Sequence, residues 1–293
     1  MPELPEVETI ARGLAKRVTG DVIESVWLGS KPEPLKSTAA EIAATLHHTR
    51  ILAVRRIGKH IVIDLERDSG HPARRSGLGT RRRARRDKVA AGNSRAQWIV
   101  HLGMTGSLVV CRSHADVEKH THAIAKLASG RELRFVDPRR FGRLSVIQGG
   151  DFEAGGFEPL EVEIEKFTSL FQGRKTPIKS ALLNQKLLRG VGNIYADEAL
   201  FRAGIRPRRR ASSLTREQLR KLFLSLQEVL KEAIDLGGSS ISDYVDADAE
   251  EGFFQFQHRV YGREGDPCQV CRTPIKRVVI AGRSSHYCPK CQK

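Results

Sequence analysis

The chain has 293 residues and a formal net charge of +16, which comes from 50 Lys and Arg against 34 Asp and Glu. This length accommodates two domains that each bury a core, and the positive charge indicates a polyanionic partner, most commonly a nucleic acid. The sequence has no apolar run long enough to span a bilayer and no apolar leader at its start, so we expect neither a membrane protein nor a secreted one.

The chain starts with a proline followed by a carboxylate, in the order Met1-Pro2-Glu3. If Met1 is removed, which a small residue at position 2 normally permits, Pro2 carries a free secondary amine. Such an amine attacks an aldehyde-level carbon to give an iminium ion, an electron sink. An α-amino group, with a pKa of about 8, needs less activation to act as a neutral nucleophile than a lysine, with a pKa of about 10.4. Glu3 is placed to donate or accept a proton, and the alternative is an ordinary helix start with Pro5 at its first position.

The hydrophobic pattern predicts one helix and then a series of short strands. Apolar residues recur at three- and four-residue spacing from Val7 to Val18, which predicts a helix over residues 5–18. Strands are predicted in seven apolar, partly alternating segments, which are residues 22–28, 51–56, 61–65, 97–102, 107–111, 132–136 and 142–147. With a second helix over residues 38–46, these strands predict a β-sandwich or barrel-like first domain over residues 1–150.

An arginine-rich segment interrupts this pattern between Arg67 and Arg95. It carries nine Arg and one Lys against two Asp, which is half of the net charge, and it has almost no apolar residue. Such a composition predicts a disordered loop. We hypothesise that the segment adds non-specific phosphate contacts and steepens the salt dependence of nucleic-acid binding; a solvated loop without a role is the alternative.

The second half of the chain is predicted to be helical. Paired glycines at residues 149–150 and 155–156 mark a linker. Helices are predicted after it over residues 163–171, 179–184, 195–203 and 215–236. We therefore predict a helical domain over residues 160–256 and a small β-rich metal module over residues 257–293.

Four of the five cysteines form the pattern Cys268-x2-Cys271-x16-Cys288-x2-Cys291. This is the spacing of a zinc ribbon, in which each pair grips the ion from one tight turn. Thiolates favour Zn(II) over Mg(II) or Ca(II), and four protein ligands leave no open position, so we predict one structural zinc ion. Arg283 lies between the pairs, where a rigid hairpin tip suits a phosphate contact; a solvated arginine is the alternative.

The first residues and the cysteine ribbon, taken together, resemble formamidopyrimidine-DNA glycosylases. Further matching motifs follow in order between them, at residues 58–59 (GK), 101–108 (HLGMTGSL), 137–142 (DPRRFG), 190–196 (GVGNIYA) and 260–263 (VYGR). The resemblance covers essentially the whole chain. It implies an α+β fold with an N-terminal β-sandwich and flanking helices, a helix–two-turn–helix domain and a C-terminal zinc-ribbon finger, with DNA in the cleft between them.

The resemblance implies a bacterial repair enzyme that removes oxidised purines, chiefly 8-oxoguanine and formamidopyrimidines, and then cleaves the strand. It assigns Pro2 as the nucleophile that forms an iminium at C1′ and Glu3 as the acid that assists ring opening. Lys59 and Arg283 then take proton-transfer roles in β- and δ-elimination. No organic cofactor is expected, and the partner is damaged double-stranded DNA, bound by a cytoplasmic monomer associated with the nucleoid.

The resemblance also implies how DNA is held once a base has left the stack. Met104, Arg139 and Phe141 match the residues that fill the void as plug, reader of the orphan cytosine and wedge. The predicted phosphate contacts are His120, Arg174, Lys179, Asn193, Tyr261 and Arg283. A lesion-reading loop is expected between Gly237 and Gln257, and it is acidic, with Asp243, Asp246, Asp248, Glu250 and Glu251.

Two other interpretations compete with this one. A protein resembling endonuclease VIII would prefer oxidised pyrimidines, but the residues that continue the N-terminal motif and the void-filling set favour the purine enzyme. A non-catalytic protein that binds damaged DNA would also keep the zinc module, but the presence of Pro2, Glu3 and Lys59 argues against it.

Overall fold

The computed structural model describes residues 1–67, 95–240 and 252–293. Residues 68–94 of the arginine-rich segment and residues 241–251 of the expected lesion-reading loop, including all five of its acidic residues, lie outside the described residues. The fold starts with helix α1 (Leu4–Val18), which buries Val7, Ile10 and Leu14 on one face, as its apolar spacing predicts.

The N-terminal domain is built from a second helix and eight strands in the described residues. These are α2 (Ala39–Leu46), β1 (Val22–Leu28), β2 (Thr49–Ile57), β3 (His60–Arg67), β4 (Arg95–His101), β5 (Ser107–Arg112), β6 (Thr121–Leu127), β7 (Arg131–Val136) and β8 (Arg143–Gln148). The strand order is β5-β7-β6-β1-β2-β3-β4-β8, and the adjacent strands are antiparallel. Because β1 and β2 pair over two residue pairs, the sheet divides there into two halves. Leu108 and Phe135 of one half share a core with Trp98 of the other, which makes the domain a sandwich.

The seven predicted strands are all present, with ends that differ by a few residues, whereas β6 is a strand that the sequence pattern does not predict. Six of its seven residues are buried, so the strand has no alternation of polar and apolar residues for a sequence pattern to detect. Three of its residues are Ala123, Ala125 and Lys126, which are poor strand formers. The predicted fold class is confirmed.

The second domain contains four α-helices in the described residues. They are α3 (Ile164–Phe171), α4 (Ile178–Leu182), α5 (Asn193–Ala203) and α6 (Arg216–Asp235). Their core includes Phe167, Tyr195 and Leu226, and Leu4 at the start of α1 is buried in this same core. Leu4 thereby anchors the N-terminus of the chain at the junction between the two domains.

The C-terminal module is a hairpin of β9 (Lys276–Ile280) and β10 (Arg283–Tyr287). Its two turn residues, Ala281 and Gly282, have φ values of 47° and 75°, which is the backbone of a tight two-residue hairpin turn. Arg283 therefore starts β10 at the tip. Gln292 fixes the module to the end of α5, because its Nε2 donates to the carbonyl of Ile205 at 2.8 Å. Of the helices in the described ranges, none is long and apolar enough to cross a membrane.

Candidate active site and nucleic-acid interface

The N-terminal residues Pro2 and Glu3 are buried where α1 meets the start of α5. The amide of Leu4 donates to the carbonyl of Gly190 at 3.0 Å, and the amide of Ile194 donates to Glu3 Oε1 at 3.2 Å. A Cβ atom on Gly192 would lie 2.2 Å from the carboxyl carbon of Glu3, so a larger residue there would displace that carboxyl group. The turn before α5 thus forms a seat for the Glu3 carboxyl group at the positive end of a helix.

Glu3 is 3% exposed, and its Oε2 is buried without a hydrogen-bond partner among the described residues. Burial raises the pKa of Glu3 to about 7, although the nearby charge of Lys59 lowers it. A carboxyl group with this pKa is present in both protonation states near neutral pH, which suits a general acid.

Glu6 connects the N-terminus of the chain with the neck of the expected lesion-reading loop. Its Oε2 accepts the amide of Glu3 at 2.7 Å, and its Oε1 accepts the hydroxyl of Tyr195 and, at 2.8 Å, the amide of Ser239. The sequence pattern alone assigns Glu6 no role. The signal that was available is its position three residues after Glu3, which is the spacing of a capping box.

Lys59 occupies the two-residue turn between β2 and β3 and is largely buried. The turn is fixed by Glu158, because its Oε1 accepts the amide of Gly58 at 2.7 Å and its carboxylate forms an ion pair with Arg56 at 2.8 Å. Burial lowers the pKa of Lys59, while the charges of Glu3 and Glu6 raise it. The ammonium group of Lys59 is therefore held in the same electrostatic site as the Glu3 carboxyl group.

Arg283 is exposed at the hairpin tip, and its charge lowers the pKa of Lys59, so the two basic groups interact electrostatically. Asn193 lies beside it, with Nδ2 donating to the hydroxyl of Ser284 at 3.2 Å. The Oδ1 of Asn193 is buried and lacks a partner in the described part of the chain. An exposed guanidinium next to an amide at a helix N-terminus is a suitable site for a phosphate.

Tyr261 is held in place through its backbone. Glu198 is fully buried, and its carboxylate accepts the amides of Val260 at 3.0 Å and Tyr261 at 2.9 Å. Burial raises the pKa of the Tyr261 hydroxyl, so this group remains a neutral hydrogen-bond donor at physiological pH. Glu198 is a second residue that the sequence did not reveal, since its partners are backbone amides some 60 positions away.

Lys179 requires a correction, because the structure does not leave it available to a phosphate. Its side chain is fully buried. The ammonium group forms an ion pair with Asp197 at 2.6 Å and donates to the carbonyl of Ser284 at 2.6 Å. Asp197 also accepts the amide of His286 at 2.9 Å. Lys179 and Asp197 therefore fix β10, and with it Arg283, against α4 and α5.

Met104 and Phe141 line a cavity of about 490 Å³ with His101 and Arg143. Met104 is 41% exposed and Phe141 is 50% exposed, and the guanidinium carbon of Arg139 lies 4.9 Å from the ring centre of Phe141. Exposed apolar tips beside basic groups are typical of surfaces that insert into DNA. The structure brings the three predicted void-filling residues together.

His101 is a further candidate for a DNA contact in this cavity. Its Nδ1 accepts the amide of Gly103 at 3.0 Å, which leaves Nε2 as the protonated nitrogen. Burial and neighbouring positive groups lower the pKa of His101 to about 4, so the ring is a neutral donor.

Two of the predicted phosphate contacts, His120 and Arg174, are exposed on the surface.

The four cysteine sulfurs form a closed metal site. All four lie within 4.8 Å of one another, and the Sγ distances are 3.9 Å for Cys268–Cys291 and 3.4 Å for Cys271–Cys288. Zn–S bonds of about 2.3 Å in a tetrahedron require sulfurs about 3.8 Å apart, so the residues fit the ion. They are the ligands of one structural zinc.

Comparison with known proteins covers the chain from end to end. Residues 1–144 match the formamidopyrimidine-DNA glycosylase N-terminal domain, residues 156–245 match the H2TH domain of the same enzymes, and residues 265–293 match the zinc finger found in FPG and IleRS. The formamidopyrimidine-DNA glycosylase of Solibacter usitatus is 43% identical over 301 residues, covering 100% of both chains.

Solved structures show the same similarity. The crystal structure of the MutM (Fpg) protein from Thermus thermophilus has a TM-score of 0.80 at 40% identity and covers 99% of this chain and 98% of that one. A point mutant of the Lactococcus lactis Fpg, in complex with a Fapy-dG containing DNA, has a TM-score of 0.84 at 30% identity, with 100% of both chains covered.

Proposed function

The chain belongs to the formamidopyrimidine-DNA glycosylase family of DNA glycosylases with abasic-site lyase activity, and we propose that it removes oxidised purines from double-stranded DNA in base-excision repair. The observation that supports this proposal most directly is the Glu3 carboxyl group, buried beside Pro2 with its pKa raised to about 7. The positive charge of Lys59 acts on this carboxyl group, and the charge of Arg283 acts on Lys59.

Pro2 acts as the nucleophile once Met1 has been removed. Its nitrogen attacks C1′ of the everted nucleotide, the bond from C1′ to the base breaks with its electron pair leaving on the base, and the base takes up the proton that the Pro2 nitrogen loses. Glu3, protonated near neutral pH, gives its proton to the ring oxygen O4′, which opens the sugar. The C1′–nitrogen bond is then an iminium ion that withdraws electrons from C2′.

Strand cleavage follows from this iminium. Loss of a proton from C2′ expels the 3′ phosphate by β-elimination, and a second elimination expels the 5′ phosphate, leaving a gap of one nucleoside. The ammonium of Lys59, whose pKa is lowered by burial, exchanges protons in the first elimination. Arg283 at the finger tip serves the second.

DNA binding is assigned to the surface around this centre. Arg283, Asn193, Tyr261, His120 and Arg174 bind phosphates, while Met104, Arg139 and Phe141 occupy the space left by the everted base. The zinc site holds the hairpin that carries Arg283. Since the site is built from one chain and the relatives named above are bacterial proteins, we place the enzyme in the bacterial cytoplasm as a monomer.

A substrate panel with product analysis tests this proposal. Duplexes with 8-oxoguanine or a formamidopyrimidine opposite cytosine should be cleaved to fragments that carry a phosphate at both ends of the gap. A duplex with thymine glycol should be processed more slowly. Preference for thymine glycol would instead support the oxidised-pyrimidine enzyme, and fragments with a 3′ unsaturated aldehyde would show that cleavage stops after β-elimination.

A further inference from the structure

The void-filling residues come from two loops that are far apart in sequence. Residues 102–106 connect β4 to β5 and carry Met104, and residues 137–142 connect β7 to β8 and carry Arg139 and Phe141. Each loop places an exposed apolar tip at the same cavity. Two loops with independent motions would have to order separately in the DNA, and each would lose conformational entropy.

The backbones of the two loops are in direct contact. A Cβ on Gly103 would lie 2.5 Å from the amide nitrogen of Gly142 and 2.5 Å from the carbonyl carbon of Phe141. Gly103 also has a φ of +65°, a conformation that favours glycine. The two loops therefore cannot move closer together, but this contact alone does not hold them together.

One buried carboxylate holds both loops. Asp137 is 0% exposed. Its Oδ1 accepts the hydroxyl of Thr105, from the first loop, at 2.7 Å, and the amide of Arg139 at 3.2 Å. Its Oδ2 accepts the amide of Gly142 at 2.7 Å. Hydrogen bonds to a charged acceptor are roughly twice as strong as neutral ones, and here they span both loops.

We infer that Asp137 and Thr105 join the two loops into one rigid unit, so that Met104, Arg139 and Phe141 enter the DNA together. Asp137 is then a positioning residue for filling the void and reading the orphan base, and the hydroxyl of Thr105 is the link between the loops. This inference rests on the proposed function, since it concerns the space that an everted base leaves.

The test compares Thr105→Val, which removes the hydroxyl and keeps the shape, with Thr105→Ser, which keeps the hydroxyl. The substrates are a duplex with 8-oxoguanine opposite cytosine and a single strand with an abasic site, which has no opposite base. We expect Thr105→Val to slow single-turnover excision from the duplex by about ten- to a hundredfold, with wild-type cleavage of the single strand. Thr105→Ser should restore the duplex rate.

A duplex rate unchanged in Thr105→Val would overturn the inference. Equal slowing on both substrates, with a lower melting temperature, would also overturn it, because it would show a general loss of structure. A wild-type protein that processes neither substrate would instead refute the proposed function itself.

A double-mutant cycle measures the coupling directly. Base eversion is measured by 2-aminopurine fluorescence. In the wild-type background, the combined effect of Met104→Ala and Phe141→Ala on base eversion should be smaller than the product of their separate effects. In the Thr105→Val background, the two effects should multiply. Independent effects in both backgrounds would contradict a rigid unit.

Discussion

The N-terminus and the two loops that carry Met104 and Phe141 each bury a carboxylate but satisfy it differently. Glu3 accepts one backbone amide, and its other oxygen has no partner within the described ranges. Asp137 accepts a hydroxyl and two amides. Because a buried charge without partners is costly, the pKa of Glu3 is raised toward neutrality. We assign proton transfer to the incompletely satisfied carboxylate and a structural role to the satisfied one.

The largest expected effect is a loss of base excision when the Glu3 carboxyl group is replaced. Glu3→Gln removes the titrating proton while keeping the shape, so we expect base excision to fall by about 100- to 10,000-fold. The free energy of unfolding at pH 8 should stay the same or rise, since a buried and poorly satisfied carboxylate is lost. Single-turnover excision and urea titration measure the two quantities. A large loss of stability would show that Glu3 is mainly structural.

A third buried carboxylate, Asp197, is neutralised by its ion pair with Lys179. Lys179→Met should lower the free energy of unfolding by about 3–5 kcal/mol, because Asp197 is left buried without its charge partner. The slope of DNA affinity against salt should not change, since the ammonium group of Lys179 is buried against Asp197 and Ser284.

The matched control for Lys179 is Arg174→Met, at an exposed position. It should reduce the salt slope by roughly 0.9 and change stability by no more than about 0.5 kcal/mol. If Lys179→Met also reduced the slope, the original prediction of a phosphate contact would be restored.

For Asp137, the expected effect is smaller and lies in stability. Asp137→Asn replaces one acceptor oxygen with a donor that faces an amide or a hydroxyl, so the free energy of unfolding should fall by about 1–3 kcal/mol. Thermal melting and urea titration check this value. An Asn variant as stable as the wild type would show that the carboxylate is not the element that holds the loops.

The smallest effect is a shift in pH dependence. In the proposed mechanism excision requires protonated Glu3, so its rate should fall as the pH rises above about 7. Lys59 lowers the pKa of Glu3; Lys59→Gln therefore raises that pKa and should move the falling limb to higher pH. A falling limb that stays at the same pH in Lys59→Gln would show that another group controls the rate.

The raised pKa of Glu3 also affects stability. The stabilisation of the fold by Glu3 is fully present below pH 4.5 and is lost as the pH rises through about 7.

How far the sequence could predict these features depends on whether they are local. The cysteine spacing specifies two tight turns, and the structure brings the four sulfurs together. Apolar periodicity specifies α1, and its predicted start differs from the observed one by a single residue. The motif around residues 137–142 also identified Arg139 and Phe141 as candidates, because the motif lies within one loop.

Features that depend on distant contacts could not be predicted. Nothing in the residues around Lys179 shows that Asp197 and Ser284 will surround it, and a basic residue after a turn is more commonly exposed. Strand β6 escapes prediction because its burial is set by its neighbours. The link from Thr105 to Asp137 joins residues 32 positions apart, so only the folded chain shows it.

Borohydride trapping tests the central claim, the Pro2 nucleophile, most directly. The protein without Met1 is incubated with a duplex that contains 8-oxoguanine opposite cytosine, reduced, digested and mapped by mass. We expect a covalent protein–DNA adduct on the nitrogen of Pro2, and much less of it in Glu3→Gln. An adduct on Lys59, or no adduct from a protein that has lost Met1, would contradict it.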